Sequence, residues 1–271
     1  MIKLSPDQES DVRDLAAVCE SIQADLVIIG ATAYRLLAND PYRATQDVDL
    51  AVALDLDTFP NLIQRLHSRG WHQSERQEQR WRGASGAIID LVPAGPGLRH
   101  QKQLVWPGSR MTMSLVGFNH VFSASVAREL APGLVLKVVP LHVFALMKIA
   151  AFLAGRDQRE KDIRDIGVLL AKYELDGERR YGDEVYGSGL GLHYDEAGSF
   201  LLGLDLGRIC TRDEADLVEA FLSLLADSES TAFTSLSRSR RRFGEHEAED
   251  RELDRQVRAF IEGFHRTRQP P

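Results

Sequence analysis

The segment Gln46-Asp47-Val48-Asp49-Leu50-Ala51-Val52 alternates acidic and apolar residues before becoming wholly apolar, and no other stretch restricts the folding of this chain as tightly. A period of two belongs to a β-strand, so Asp47 and Asp49 emerge on one face while Val48 and Leu50 turn to the other. Two carboxylates side by side repel each other, and the strand is destabilised unless a cation lies between them. Magnesium takes a few carboxylates together with waters and substrate phosphates, and an acidic pair on a rigid strand supplies that incomplete shell. The plainer alternative for an isolated Asp-x-Asp is solvated charge on an edge strand.

The surroundings favour chemistry. Upstream, Asp25-Leu26-Val27-Ile28-Ile29-Gly30 is a short β-branched run ending in glycine, followed by the helix formers Ala31 to Leu37. This predicts strand, tight turn and helix, with Gly30 leaving room for a phosphate near the helix start and Thr32 adding a hydroxyl donor. Downstream, Asp90 stands alone between Ile88, Ile89, Leu91 and Val92. A carboxylate with such flanks is buried and needs a partner, and a metal shared with the Asp47/Asp49 strand would meet that need.

Elsewhere, helical spacing predicts helices over 5–21 and 58–69, and apolar runs predict strands over 86–93, 111–116 and 134–139. Past Pro140 the texture turns helical. Two helices over 141–173 are separated by Gly155-Arg156-Asp157, and a Gly- and Tyr-rich loop beyond Asp176 leads to helical patterns at 211–226 and 247–265. The Ser/Arg tract at 235–242 reads as a flexible loop, and Arg179-Arg180 as solvated charge. A boundary near residue 136 divides a sheet-and-helix domain, 1–136, from a helical domain, 137–271, that closes its cleft.

Composition removes other classes. With 33 Lys+Arg against 40 Asp+Glu, the net charge of −7 argues against a general nucleic-acid coat. The two cysteines, Cys19 and Cys210, have no metal-ligand spacing, and the acidic N-terminus lacks a secretory signal's apolar core, so a cytoplasmic location is expected. Lys137, Pro140, His142 and Lys148 interrupt the most apolar stretch, 134–154, so no membrane span is expected. Neither a Gly-x-Ser-x-Gly elbow nor a phosphate-binding P-loop occurs.

Taken in order, Val27-Ile28-Ile29-Gly30-Ala31, then Arg43-Ala44-Thr45-Gln46-Asp47-Val48-Asp49-Leu50, then Ile89-Asp90-Leu91 resemble the nucleotidyltransferase (polymerase-beta-like) superfamily. That superfamily pairs a glycine-led turn with an Asp-x-Asp strand and a third acid on a neighbouring strand. More narrowly, Arg43-x-Thr45-x-Asp47-x-Asp49 with the later Lys148 helix and Lys161-Asp162-x-x-Asp165 is similar to the AbiEii/AbiGii-type toxins of type IV toxin–antitoxin systems. The resemblance spans 26–173. It implies an α+β fold, a short mixed β-sheet flanked by helices and followed by a helical C-terminal domain. It also implies a substrate-binding set of Gly30, Ala31, Thr32, Arg43 and Thr45, and two Mg2+ ions held by Asp47, Asp49 and Asp90. Members usually carry a second glycine or a serine after the first. Ala31 stands there in this chain, so a side-chain phosphate contact is missing and Thr32 is its substitute.

The helix 141–154 is apolar nearly all round, so Lys148 either snorkels to water or meets an anion inside. The resemblance gives that lysine the nucleotide triphosphate. Asp162 and Asp165 share a helix face, with Ile163, Ile166, Leu169 and Leu170 on the buried stripe. One reading is a surface Lys161–Asp165 pair; the resemblance places an acid of this motif in the active site, Asp162 ahead of Asp165. Arg80 and Arg82 flank Trp81 and read as loop charge, or else as contacts to an acceptor strand.

These observations predict transfer of a nucleoside monophosphate from an NTP to an acceptor hydroxyl, with pyrophosphate released. If the toxin resemblance holds, the acceptor is the 3′ end of tRNA and the partners include a cognate antitoxin. Two alternatives stand beside it: a small-molecule nucleotidyltransferase of the antibiotic-modifying kind, and a catalytically silent binding module on the same fold.

Overall fold

The computed structural model describes residues 4–38, 46–155, 160–175, 177–240 and 246–268. Arg43 and Thr45 lie outside them. The chain divides into two compact units, Met1–Phe144 and Ala145–Pro271.

In the first unit, helix α1 (Pro6–Ser21) starts where Ser5-Pro6 predicts. Gln8 N–H donates to the Ser5 hydroxyl and Ser5 N–H donates back to the Gln8 side chain, a capping box that satisfies two donors a helix start otherwise leaves unpaired. Strand β1 (Leu26–Ile28), helix α2 (Gly30–Ala38), strand β2 (Asp47–Val52) and helix α3 (Phe59–Ser68) follow as expected. Next come the short strands β3 (His72–Gln73) and β4 (Arg80–Arg82), then β5 (Ile88–Pro93). Helix α4 (Pro96–Gln101) and the hairpin β6 (Gln103–Val105) and β7 (Thr112–Ser114) lead to helix α5 (Phe118–Ser123) and strands β8 (Val126–Ala131) and β9 (Leu134–Val138). Seven strands form one mixed sheet in the order β3-β4-β5-β2-β1-β9-β8, with β2–β5 and β1–β9 parallel and the other pairs antiparallel.

The register of this sheet follows from its two faces. Val48, Leu50, Ile89 and Leu91 are fully buried, while Asp47, Asp49 and Asp90 lie on the half-exposed face. Each buried aliphatic side chain is worth about 1.5–3 kcal/mol. A one-residue slip of β2 would expose its apolar set and drive both acids into the core. The loop reading of Arg80 and Arg82 is corrected: both sit on β4, with Trp81 between them fully buried on the opposite face. Trp81 fills the core, so the strand is held from behind while its arginines face the acids' side of the sheet.

Helix α6 (Leu141–Ala154) carries the chain into the second unit, whose members are α7 (Glu160–Lys172), a 3₁₀ turn at Glu178–Tyr181, α8 (Asp183–Tyr186), α9 (Tyr194–Ile209), α10 (Arg212–Ala226), α11 (Thr231–Arg240) and α12 (His246–Arg266). Two expectations are corrected here. The Ser/Arg tract is helical through Arg240, as part of α11. Arg180 is no solvated charge: it is 2% exposed and donates to the carbonyls of Ala171, Tyr173 and Tyr194. Those acceptors include carbonyls at the end of α7 that the helix itself leaves unpaired. Helix α9, 16 residues long, is the longest element the sequence reading misses. Its Gly203 and Gly207, with Gly263 of α12, bring the two backbones so close that a Cβ on any of them would overlap the other helix.

Among the described residues, no helix is long and apolar enough to cross a membrane.

Candidate active site

The acids of β2 and β5 meet because the two strands are parallel and in register, with Asp49 opposite Asp90. On the far side of β5, Arg80 of β4 pairs with Asp90. Arg80, Asp90 and Asp49 therefore form one cross-strand row, with Asp47 two residues along β2. Arg80 grips Asp90 with both edges of its fork, Nε to Oδ1 at 2.9 Å and Nη2 to Oδ2 at 2.9 Å, and the same Nη2 reaches Asp47 Oδ2 at 2.7 Å. The buried carboxylate at Asp90 thus has its partner, and that partner is a guanidinium. The hydrogen bonds to Asp90, opposed by partial burial and reinforced by the charges of Asp90, Asp47 and Asp49, hold the Arg80 guanidinium above its usual basicity. All three carboxylates act on one cation.

Asp49 is fixed from the other direction. Gly30 opens α2 with φ +62°, a conformation that favours glycine, and an added Cβ there would overlap the Asp49 carboxylate. The turn also aims Ala31 N–H at Asp49 Oδ2, 3.2 Å away. Thr32 is placed differently from the expectation. It is 2% exposed and its hydroxyl donates to the backbone carbonyl of Asp47 at 3.2 Å, so that hydroxyl ties α2 to β2 from within the fold.

Among the described residues, no group of three or more His, Cys, Asp or Glu side chains stands ready as a metal cage. The donor set at Asp47, Asp49 and Asp90 nevertheless suits a hard divalent cation in its chemistry, all carboxylate oxygen. Two of the three, Asp47 and Asp90, already gather on one positive charge, the Arg80 guanidinium.

The second unit holds its own buried cluster. Lys148 does meet an anion inside: its ammonium donates to Asp162 Oδ1 at 2.7 Å and lies 2.8 Å from Asp165 Oδ2. Both carboxylates are buried, 3% and 4% exposed as residues. The surface Lys161–Asp165 reading therefore gives way to an internal pair of acids sharing one lysine. Burial by itself pushes the Lys148 ammonium toward deprotonation, but the charges of Asp165 and Asp162 and their hydrogen bonds outweigh it and raise its pKa. The three tryptophans fill the core, Trp71 and Trp81 fully buried and Trp106 3% exposed.

Sequence reasoning singles out the three acids, the glycine turn, Lys148 and the acids of α7, but does not pair Lys148 with those acids. It misses the role of Arg80, whose partners lie 10 and 33 residues away along the chain. The available signal is the alternation Arg80-Trp81-Arg82, a strand pattern with one bulky apolar residue between two charges.

Comparison with known proteins gives the following. No curated protein sequence matches the chain. Among solved structures, the chain is similar to an antigenic nucleotidyltransferase-like protein from Paracoccidioides brasiliensis, at 21% identity over 61% of this chain and 76% of that one, with a TM-score of 0.40. It is also similar to JHP933 from Helicobacter pylori, at 14% identity over 97% of this chain and 96% of that one, with a TM-score of 0.38. A CCA-adding enzyme in complex with ATP matches at 13% identity over 87% of this chain and 52% of that one, with a TM-score of 0.34. Residues 13–271 match the family described as nucleotidyl transferase AbiEii toxin, type IV toxin–antitoxin system. With the acids and the glycine turn inside a match that spans nearly the whole chain, the protein belongs to the AbiEii nucleotidyltransferase toxin family.

Proposed function

We propose that this nucleotidyltransferase moves a nucleoside monophosphate from an NTP to the 3′-terminal hydroxyl of tRNA, releasing pyrophosphate and so blocking translation, and that a cognate antitoxin opposes it in the cell. The observation that carries the reading is the row of acids on the open face of the sheet, Asp49 beside Asp90 across β2 and β5, with Asp47 and Asp90 sharing the Arg80 guanidinium.

In this reading Asp47 and Asp49 hold two Mg2+ ions, and Asp90 shares one of them. Magnesium, when bound, offsets the triphosphate charge and makes the acceptor hydroxyl more acidic. Asp49 is oriented for its part by the Ala31 N–H, and Gly30 keeps the turn free of side-chain bulk where the phosphates approach. Asp90 is the carboxylate that helps draw off the acceptor proton. We assign Lys148 the charge that develops on the leaving pyrophosphate, with Asp162 and then Asp165 as the acids that position its ammonium. Arg43 and Thr45 complete the proposed substrate contacts on the strength of the sequence motif alone. The helical unit is the part to which we assign closure during turnover.

Incubating the purified protein with each labelled NTP, magnesium and bulk tRNA tests the proposal. Label should enter RNA with one preferred nucleotide, and Asp49→Ala should reduce transfer by at least about 10²–10³-fold. Label that enters only an added aminoglycoside-type small molecule would move the protein to the antibiotic-modifying class. A growth defect that survives Asp49→Ala, without any label transfer, would identify a silent binding module and sink the enzymatic reading.

A further inference from the structure

We propose that Arg80 is a built-in counter-ion that competes with the divalent cation for Asp47 and Asp90, so that metal enters only as the guanidinium leaves. The inference rests on the reading of these acids as metal ligands.

Three carboxylates on one face of adjoining strands repel one another, and β4 places a guanidinium against them through an antiparallel pairing with β5. Arginine suits this position because its planar fork grips a carboxylate with two parallel donors, as it does on Asp90, and has a further N–H to offer to Asp47. A magnesium ion makes a different demand on the same atoms. It takes carboxylate oxygens at about 2.0–2.1 Å in octahedral array, whereas Nη2 already stands 2.7 Å from Asp47 Oδ2 and 2.9 Å from Asp90 Oδ2. One nitrogen, Nη2, therefore contacts both oxygens that such an ion would take.

The guanidinium already borders water: the Arg80 side chain is 34% exposed and that of Asp47 32%. Asp90, at 14% exposure, is the more enclosed partner and is the oxygen pair that loses most if neither cation is present. Arg82, two residues along β4, is an internal control: it is exposed, and its recorded hydrogen bond goes to the Gly86 carbonyl. Competition of this kind keeps the metal-free site folded and sets a threshold of free divalent cation below which the site stays closed on itself.

Titration calorimetry of the full chain with Mn2+, without nucleotide, tests the proposal on wild type, Arg80→Met, Arg80→Lys and Arg82→Met. Arg80→Met should bind Mn2+ at least tenfold more tightly than wild type, melt at a lower temperature in chelator, and gain more from added Mn2+ in the melt. Arg82→Met should match wild type. Should Arg80→Met prove unfolded in chelator, Arg80→Lys decides, because its ammonium cannot reproduce the fork and its affinity should rise severalfold. Equal or weaker Mn2+ binding by the folded Arg80 variants, with wild type binding normally, overturns the competition and leaves the metal reading intact. Absence of Mn2+ binding in every variant, including wild type, overturns the metal reading itself and the competition with it.

Discussion

At the scale of single residues, the site depends on positions where no neighbouring side chain would do. Gly30 has a positive φ and no room for a Cβ beside Asp49, so Gly30→Ala suffers both backbone strain and displacement of that carboxylate. We expect it to cost about 1–3 kcal/mol of stability and to reduce transfer as severely as Asp49→Ala, measured by urea melts and the labelled-NTP assay. Full activity with a lower melting point would separate the turn from the chemistry. Lys148 gives a pH signature. Its raised pKa means that its contribution is fully present below the unfolded lysine value of about 10.4 and is lost only as pH rises through the still higher folded value, so the cluster is steady across neutral pH. Lys148→Met removes that ammonium from two buried carboxylates and should cost about 3–5 kcal/mol of stability, measured by urea melts near neutral pH. A loss no larger than that of a surface ion pair, about 0–1 kcal/mol, would mean that the ion pair contributes little. Burial likewise pushes the thiols of Cys19 and Cys210 up to about 12. Both should resist a thiol reagent at pH 8 in the native state and titrate together once denaturant is added; one fast thiol in the native protein would contradict their burial.

At the scale of elements, the hairpin that carries Arg80 and Asp90 is anchored from helix α1. Asp11, 1% exposed, accepts from the Ser85 and Ala87 N–H groups at 2.8 and 2.9 Å in the turn between β4 and β5. Asp11→Ala leaves those donors without their acceptor and should cost about 1–3 kcal/mol, with hydrogen exchange accelerated first in the β4–β5 hairpin. Uniform acceleration across the sheet would place the damage elsewhere. The same hairpin marks where reading the sequence stops. Strands β1, β2 and β5 and helices α1, α3, α6 and α7 were legible because each carries its own periodicity, and so were the acids they bear. Strand β4 has three residues, too few for a pattern, and its charge balance exists only after the sheet brings Asp90 and Asp47 to it. Helix α9 was lost for the opposite reason. Its Gly198, Gly203 and Gly207 read as loop, since glycine disfavours an isolated helix by about 1 kcal/mol each. In the fold, Gly203 and Gly207 lie where α12 crosses close by, so tertiary packing outweighs local propensity.

At the scale of the whole molecule, the charge balance limits how a nucleic acid can be bound. With 33 basic residues against 40 acidic ones, and with Arg80, Arg179 and Lys148 each held by acids, the composition offers no surplus of cations to neutralise a phosphate backbone. Each phosphate neutralised on a duplex releases counterions and contributes about −0.9 to the slope of log affinity against log salt, or about −0.7 on a single strand. An enzyme that recognises only the single-stranded end of a tRNA needs about two to four such contacts, giving a slope of about −1.4 to −2.8. Filter binding of tRNA between 50 and 200 mM salt measures it directly. A slope near −8 would reveal an extended basic track that the net charge conceals, and would mean that the body of the tRNA is gripped. A slope of that order on Arg80→Met, with a shallow one on wild type, would contradict repulsion of the strand by the acids of β2 and β5 when their counter-ion is gone. That outcome is not expected, because losing a cation beside three carboxylates should weaken tRNA binding at every salt concentration, most at low salt where the repulsion is least screened.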